Sequence, residues 1–237
     1  MRFFTRRNIT VFLLLAMCAV LLCGCGKSNE AENGIDSGFP VLKKIHGGFD
    51  AQAYVQGGLD VLYKGEVSEE YLALITDSRG ECLEAYEDNI FREAENFCST
   101  FYVGENKEPD AALVELYRAV FAKSRYEVAE AEKTAEGYTV AVTVYPLDIF
   151  RESYEALDKF DREFTQRFAD GEFAEVAGDA IEREYLAGML ELLSARVDTA
   201  GYLEPVTVTV HLDKGRNGTY TVNPDDIALI HNNILPY

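Results

Sequence analysis

The feature that most constrains the fold is a change of period at Gly137. Tyr138-Thr139-Val140-Ala141-Val142-Thr143-Val144-Tyr145 alternates with period two and is rich in β-branched residues, the pattern of a half-buried strand. Segments with apolar residues every three or four positions lie on either side of it. A second alternating run, Val206 to Leu212, comes late in the chain. Each run has a nearby hairpin partner: Tyr126 to Glu132 across Ala135-Glu136-Gly137, and Thr219 to Val222 across a Gly- and Asn-rich turn. Helices, a hairpin, more helices and another hairpin predict an α+β fold, with helices packed on one face of a small antiparallel sheet built from two β-hairpins.

The helices carry readable ends. Asp50 is an N-cap, with Phe49 and Tyr54 placed as a hydrophobic staple and Gly65 as the stop. Ser68 caps a short helix reaching Ile75. Ser78 and Glu81 form a capping box ahead of Leu83, Tyr86, Ile90, Ala94, Phe97 and Phe101, the longest amphipathic pattern in the chain. Pro109 opens a helix to about Lys123. Phe150, Tyr154, Leu157, Phe164 and Phe168 mark another, stopped near Gly171. Phe173 to Val197 marks the next, and Asn223-Pro224 reads as cap and first residue of a last one. Gly57-Gly58 falls inside a helix, where it allows close packing. Tyr138-Thr139-Val140 leading to Pro146, and Tyr220-Thr221-Val222 leading to Pro224, hint at two similar halves, 47–146 and 147–237.

The first 24 residues have a different chemistry. Arg2, Arg6 and Arg7 precede an apolar run, Ile9 to Cys23, that is too short to span a bilayer core of about 30 Å as a helix. A basic region followed by a short apolar one is the layout of an export signal. Leu22-Cys23-Gly24-Cys25 resembles the lipobox of bacterial lipoproteins. The resemblance implies cleavage after Gly24 and lipidation of the Cys25 thiol, so that 1–24 is a signal peptide and the protein is held on the outer face of a cell membrane. Residues 25–46 then read as the lipidated cysteine and a flexible tether, with one domain over 47–237. At Phe49 to Phe101 the run FDAQAYVQGGLDVLYKGEVSEEYLALITDS, continued by CLEAYEDNIFREAENF, resembles uncharacterised extracytoplasmic lipoproteins of Gram-positive bacteria. That family implies location and carries no catalytic motif.

Charge narrows the partners. There are 41 acidic against 22 basic residues, a formal net charge of −19, which argues against a nucleic-acid surface because phosphates need a basic face. Motifs for chemistry are sparse. His46, His211 and His231 are far apart in sequence, His211 falls on the threonine side of a strand, and no metal or cofactor is expected. Cys82 and Cys98, about 24 Å apart along one continuous helix, are too distant to bridge and are expected to be buried thiols. Asp213 to Gly218 resembles a calcium loop but lacks a ligand at the third and twelfth positions, so a hairpin turn is expected. No carboxylate pair stands out, and no catalytic residue is assigned. If a ligand site exists, it is expected where helices meet the sheet, near Tyr145, Tyr154 and Tyr220. The expected role is a membrane-anchored binding or interaction module whose partner is a protein, a cell-wall polymer or a small molecule. A carboxylate hydrolase of the envelope and an importer's solute-binding subunit are the alternatives.

Overall fold

A helix starts where a side chain can take up its first free N–H groups, and the expected caps are found in place. The computed structural model describes residues 39, 49–101, 103, 108–215 and 218–237. They belong to a unit spanning Asp36–Tyr237; Gly24, Cys25, His46 and Asn217 lie outside the described residues. Asp50 accepts from the Ala53 N–H at the start of α1 (Ala51–Lys64), and Gly65 closes it at φ 64°. Ser68 caps α2 (Glu69–Leu74). At the head of α3 (Arg79–Phe101), the Ser78 N–H donates to Glu81 at 2.7 Å and the Glu81 N–H to Ser78 Oγ at 3.3 Å. These bonds from Ser78 hold the Glu81 carboxyl below its usual range. Asp110 caps α4 (Ala111–Phe121), which leaves Pro109 just ahead of the cap and not in the first turn.

The strands follow: β1 (Arg125–Val128), β2 (Glu132–Lys133) and β3 (Gly137–Tyr145). A helical hairpin, α5 (Ile149–Ala169) and α6 (Gly178–Val197), comes next. Then come β4 (Val206–Lys214), β5 (Tyr220–Val222) and α7 (Pro224–Ile234), the last capped by Asn223.

Both expected hairpins are present, and β3–β4 pairing fuses them into one antiparallel sheet of order β1-β3-β4-β5, with β2 also on β3. The partner run of β3 is split because Val128 faces Val142 while Glu132 faces Thr139. One extra residue is thus accommodated between them, a β-bulge that transfers Glu132 to the opposite face from Val128.

Alternation sorts the sheet into two faces. Val140, Val142, Val144, Val208, Val210 and Leu212 are buried beneath the helices. The other face carries Thr139, Thr143, Thr207, Thr209, His211 and Thr221, which are exposed or half-buried. Each buried Val or Leu contributes about 1.5–3 kcal/mol. An exposed pair such as Lys159–Glu163, 3.7 Å apart, contributes about 1 kcal/mol at most. The seam between helices and valines therefore dominates stability.

Two glycine contacts set the helix packing. A Cβ on Gly57 would come within 2.3 Å of the Tyr71 ring, and one on Gly58 within 2.2 Å of the Phe39 ring. Phe39, inside the segment read as tether, thus packs on α1, with its ring 5.8 Å from that of Tyr54. The α5–α6 hairpin has a small apolar cluster of its own. Phe160 stacks on Tyr185 at 5.5 Å and Phe164 on Phe173 at 5.0 Å. Arg167 lies over Phe164 and Phe173 while pairing with Glu172 and Glu184. Leu83, expected inward, is exposed, and its neighbour Cys82 is buried in its place. Tyr154 and Phe168, expected on the apolar stripe of α5, are exposed as well.

Candidate functional site

The most unusual side chain in the core is an acid. Glu93, on the inner stripe of α3 between Ile90 and Phe97, is only 3% exposed. A buried carboxylate needs partners, and three elements supply them. His231, in the last turn of α7, places Nε2 at 2.8 Å from Glu93 Oε2. The Tyr237 hydroxyl donates to Glu93 Oε1. Asn96, one turn along α3, has its amide nitrogen 3.4 Å from Oε2. The network continues outward, from Tyr237 to the Tyr117 hydroxyl at 2.7 Å and from His231 Nδ1 to the Tyr63 hydroxyl at 3.4 Å.

Burial pushes the Glu93 carboxyl up, but the hydrogen bonds and charge of His231, with help from Tyr237 and Asn96, hold it below its usual range. Burial raises the phenols of Tyr63, Tyr117 and Tyr237 well above theirs, and the Glu93 charge adds to the rise. The state favoured near neutrality is an anionic Glu93 inside a cage of neutral phenols. A pocket of about 170 Å³ opens beside it, lined by Glu93, Asn96, His231, Asn232, Leu235, Pro236 and Tyr237. That is about the size of a cavity that takes one small organic molecule or a cluster of waters. Both ring nitrogens of His231 and both oxygens of Glu93 are engaged within the protein. The arrangement ties α7 and the Tyr237 segment to α1, α3 and α4.

A second carboxylate–imidazole pair lies at the sheet. Asp226 Oδ2 meets both the backbone N–H and Nδ1 of His211, each at 2.8 Å. The Asn223 N–H donates to the His211 carbonyl, after which the chain turns into α7. Asp226 therefore takes the place of the strand partner that β5 no longer supplies. His211 is half-exposed on the threonine face, as its alternation predicts.

The three tyrosines expected near a ligand are not brought together. Tyr145 pairs with Arg125 across the sheet on the open threonine face. Its ring lies 4.0 Å from the Arg125 guanidinium and its hydroxyl donates to Glu127. Tyr220, opposite Lys214, is on the helix-covered face at the far end of the sheet, stacked on Phe49 at 4.7 Å and beside Tyr138. Tyr138 and Tyr145 stand at opposite ends of β3, about 23 Å apart at 3.3 Å per residue. Tyr154 is on α5 with its side chain in solvent.

Cys82 and Cys98 are buried free thiols on the single helix α3. Burial raises both thiols, away from the thiolate that reactivity needs. Among the described residues, no group of three or more His, Cys, Asp or Glu is placed to hold a metal ion, and no helix is long and apolar enough to cross a membrane.

No family model and no curated protein matches the sequence. Among solved structures, that of YcdA from Bacillus subtilis, a presumed lipoprotein, is similar to this chain with a TM-score of 0.54 and 14% identity. The match covers 79% of this chain and 56% of YcdA, so the chain spans little more than half the length of that protein. The likeness is one of fold.

Proposed function

We propose that this chain is a cell-surface lipoprotein, anchored through a lipid on Cys25, whose folded domain serves as a non-enzymatic binding or interaction module. One observation carries the reading. The Leu22-Cys23-Gly24-Cys25 signature, behind a basic and then apolar leader, stands ahead of a domain whose fold is similar to that of a presumed lipoprotein. Two attached acyl chains give stable membrane attachment, whereas one holds only marginally. The non-enzymatic part rests on the interior chemistry. The His231 ring has no nitrogen left for a substrate, and the Glu93 carboxyl shifts toward the anion, not toward the acid that proton transfer to a leaving group requires.

The test is metabolic labelling with a radioactive fatty acid, followed by membrane fractionation, on the wild type and Cys25→Ala. The wild type is expected to carry label in the membrane fraction with residues 1–24 removed, and C25A to accumulate as an unlabelled precursor. Label retained by C25A, or a wild-type chain recovered unlabelled from cytosol with Met1 in place, overturns the reading.

A further inference from the structure

One edge segment of the sheet, on β4, has outward backbone groups that nothing in the described chain bonds. The two sides of β4 are distinguishable by where its backbone groups point. The His211 carbonyl accepts from Asn223 and its N–H donates to Asp226, both away from β3. The Lys214 N–H donates to Glu136, toward the β2–β3 turn. Alternate residues of a strand point the same way, so the N–H and C=O groups of Thr207 and Thr209 also face away from β3. Beyond His211, β5 pairs with Leu212 to Lys214. Before it, no described strand or side chain bonds the outward backbone groups of Thr207 and Thr209.

The segment is closed at both ends and open between them. Pro205 has no N–H to offer, and Asp226 caps His211. Edges usually carry charges, prolines or bulges that repel another strand. Here the five residues are Val206-Thr207-Val208-Thr209-Val210, all β-branched and none charged. They also read the same in both directions about Val208. An antiparallel copy centred there sets Thr207 against Thr209 of the other chain, closes four backbone hydrogen bonds and places valine beside valine and threonine beside threonine. The Thr143–Thr207 contact, with oxygens 3.1 Å apart, already shows such a threonine pair within one chain.

The helix layer fits the same operation. α7 packs on both β3 and β4, and its first turn reaches the β4 edge through Asp226, beside a twofold placed half a strand spacing outside β4. Leu229, one turn beyond the edge-capping Asp226 on the same stripe of α7, is 52% exposed and would face its counterpart across the axis.

We propose that β4 pairs with β4 of a second copy of this chain about Val208, joining two sheets into one and closing the Leu229 stripe of α7. The contact is isologous, so it ends at two chains and does not propagate.

Thr209→Pro separates this role from folding. It removes an N–H that bonds nothing among the described residues, yet deletes two of the four intermolecular bonds. Full-length protein in detergent is expected to sediment as a dimer at micromolar concentration, and T209P to weaken that dimer by about tenfold or more with its circular dichroism unchanged. Thr207→Cys combined with Thr209→Cys is expected to give a disulfide-linked dimer in cells, absent from either single variant because 207 faces 209. A wild type that stays monomeric to about 100 μM without cross-linking overturns the proposal. So does a monomer that instead takes up an extended peptide in a T209P-sensitive way, or a dimer that T209P leaves unchanged.

Discussion

Glu93 shows how much one side chain can carry when water is excluded. Removing one partner of a buried, hydrogen-bonded charge leaves the other uncompensated, at a cost of about 3–5 kcal/mol. Glu93→Ala and His231→Leu are therefore each expected to lower stability by about 3 kcal/mol in urea unfolding, and the double variant by much less than the sum. The sign of the pH dependence follows from the lowered carboxyl. Its stabilisation is complete above the ordinary carboxylate value of 4.5 and is lost as pH falls through the lower value of the folded state. Glu93→Gln is expected to flatten the acid limb of a stability-against-pH curve below about pH 4.5; an unchanged limb means that other carboxylates carry it. The sequence held a clue to this residue. Counting back three and four from Phe97 reaches Ala94 and Glu93 together, so an acid falls on the buried stripe of α3. Its partners left no such trace, because His231 is 138 residues away and neither residue belongs to a spaced motif.

At the scale of single elements, local chemistry settled most boundaries. Asp50, Ser68, Ser78, Asp110 and Asn223 each bond the backbone within three residues, an interaction that needs no tertiary context. The orientation of exposed apolar residues was less legible, as Leu83 and Tyr154 show, because a helical stripe about 100° wide leaves its border residues undecided. The contact of Phe39 with Gly58 was hidden for another reason, since Phe39-Pro40-Val41-Leu42 is an apolar run too short to show a helical or strand period. That contact has a measurable signature. Alanine favours a helix over glycine by about 1 kcal/mol, but at position 58 it displaces the Phe39 ring. Gly58→Ala is expected to be near neutral or mildly destabilising in the wild type, and stabilising by about 1 kcal/mol in a Phe39→Ala background, read from urea midpoints. If the sign does not change between the backgrounds, Phe39 is not seated on that glycine.

For the whole molecule, alternation identified both long strands and the face each one buries, but not that they are neighbours. Thr143 and Thr207 are 64 positions apart, and antiparallel pairing at that distance leaves no local sign. That the candidate tyrosines stand apart was hidden for the same reason. Without the β3–β4 register, nothing in the sequence places Tyr145 and Tyr220 on opposite faces of one sheet.

The α5–α6 hairpin occupies most of the chain between those two central strands, which has a consequence for folding kinetics. Bringing β3 to β4 closes a loop whose entropic cost grows with its free length. A preformed helical hairpin turns most of that length into a short rigid bridge, so α5 and α6 should already be paired when the two strands first meet. Gly188→Ala probes this order, since its added methyl would lie 2.3 Å from the Phe160 ring between the two helices. In stopped-flow refolding it is expected to slow the folding limb by about tenfold, with little change in the unfolding limb. The reverse pattern would mean that the strands meet before the helices do.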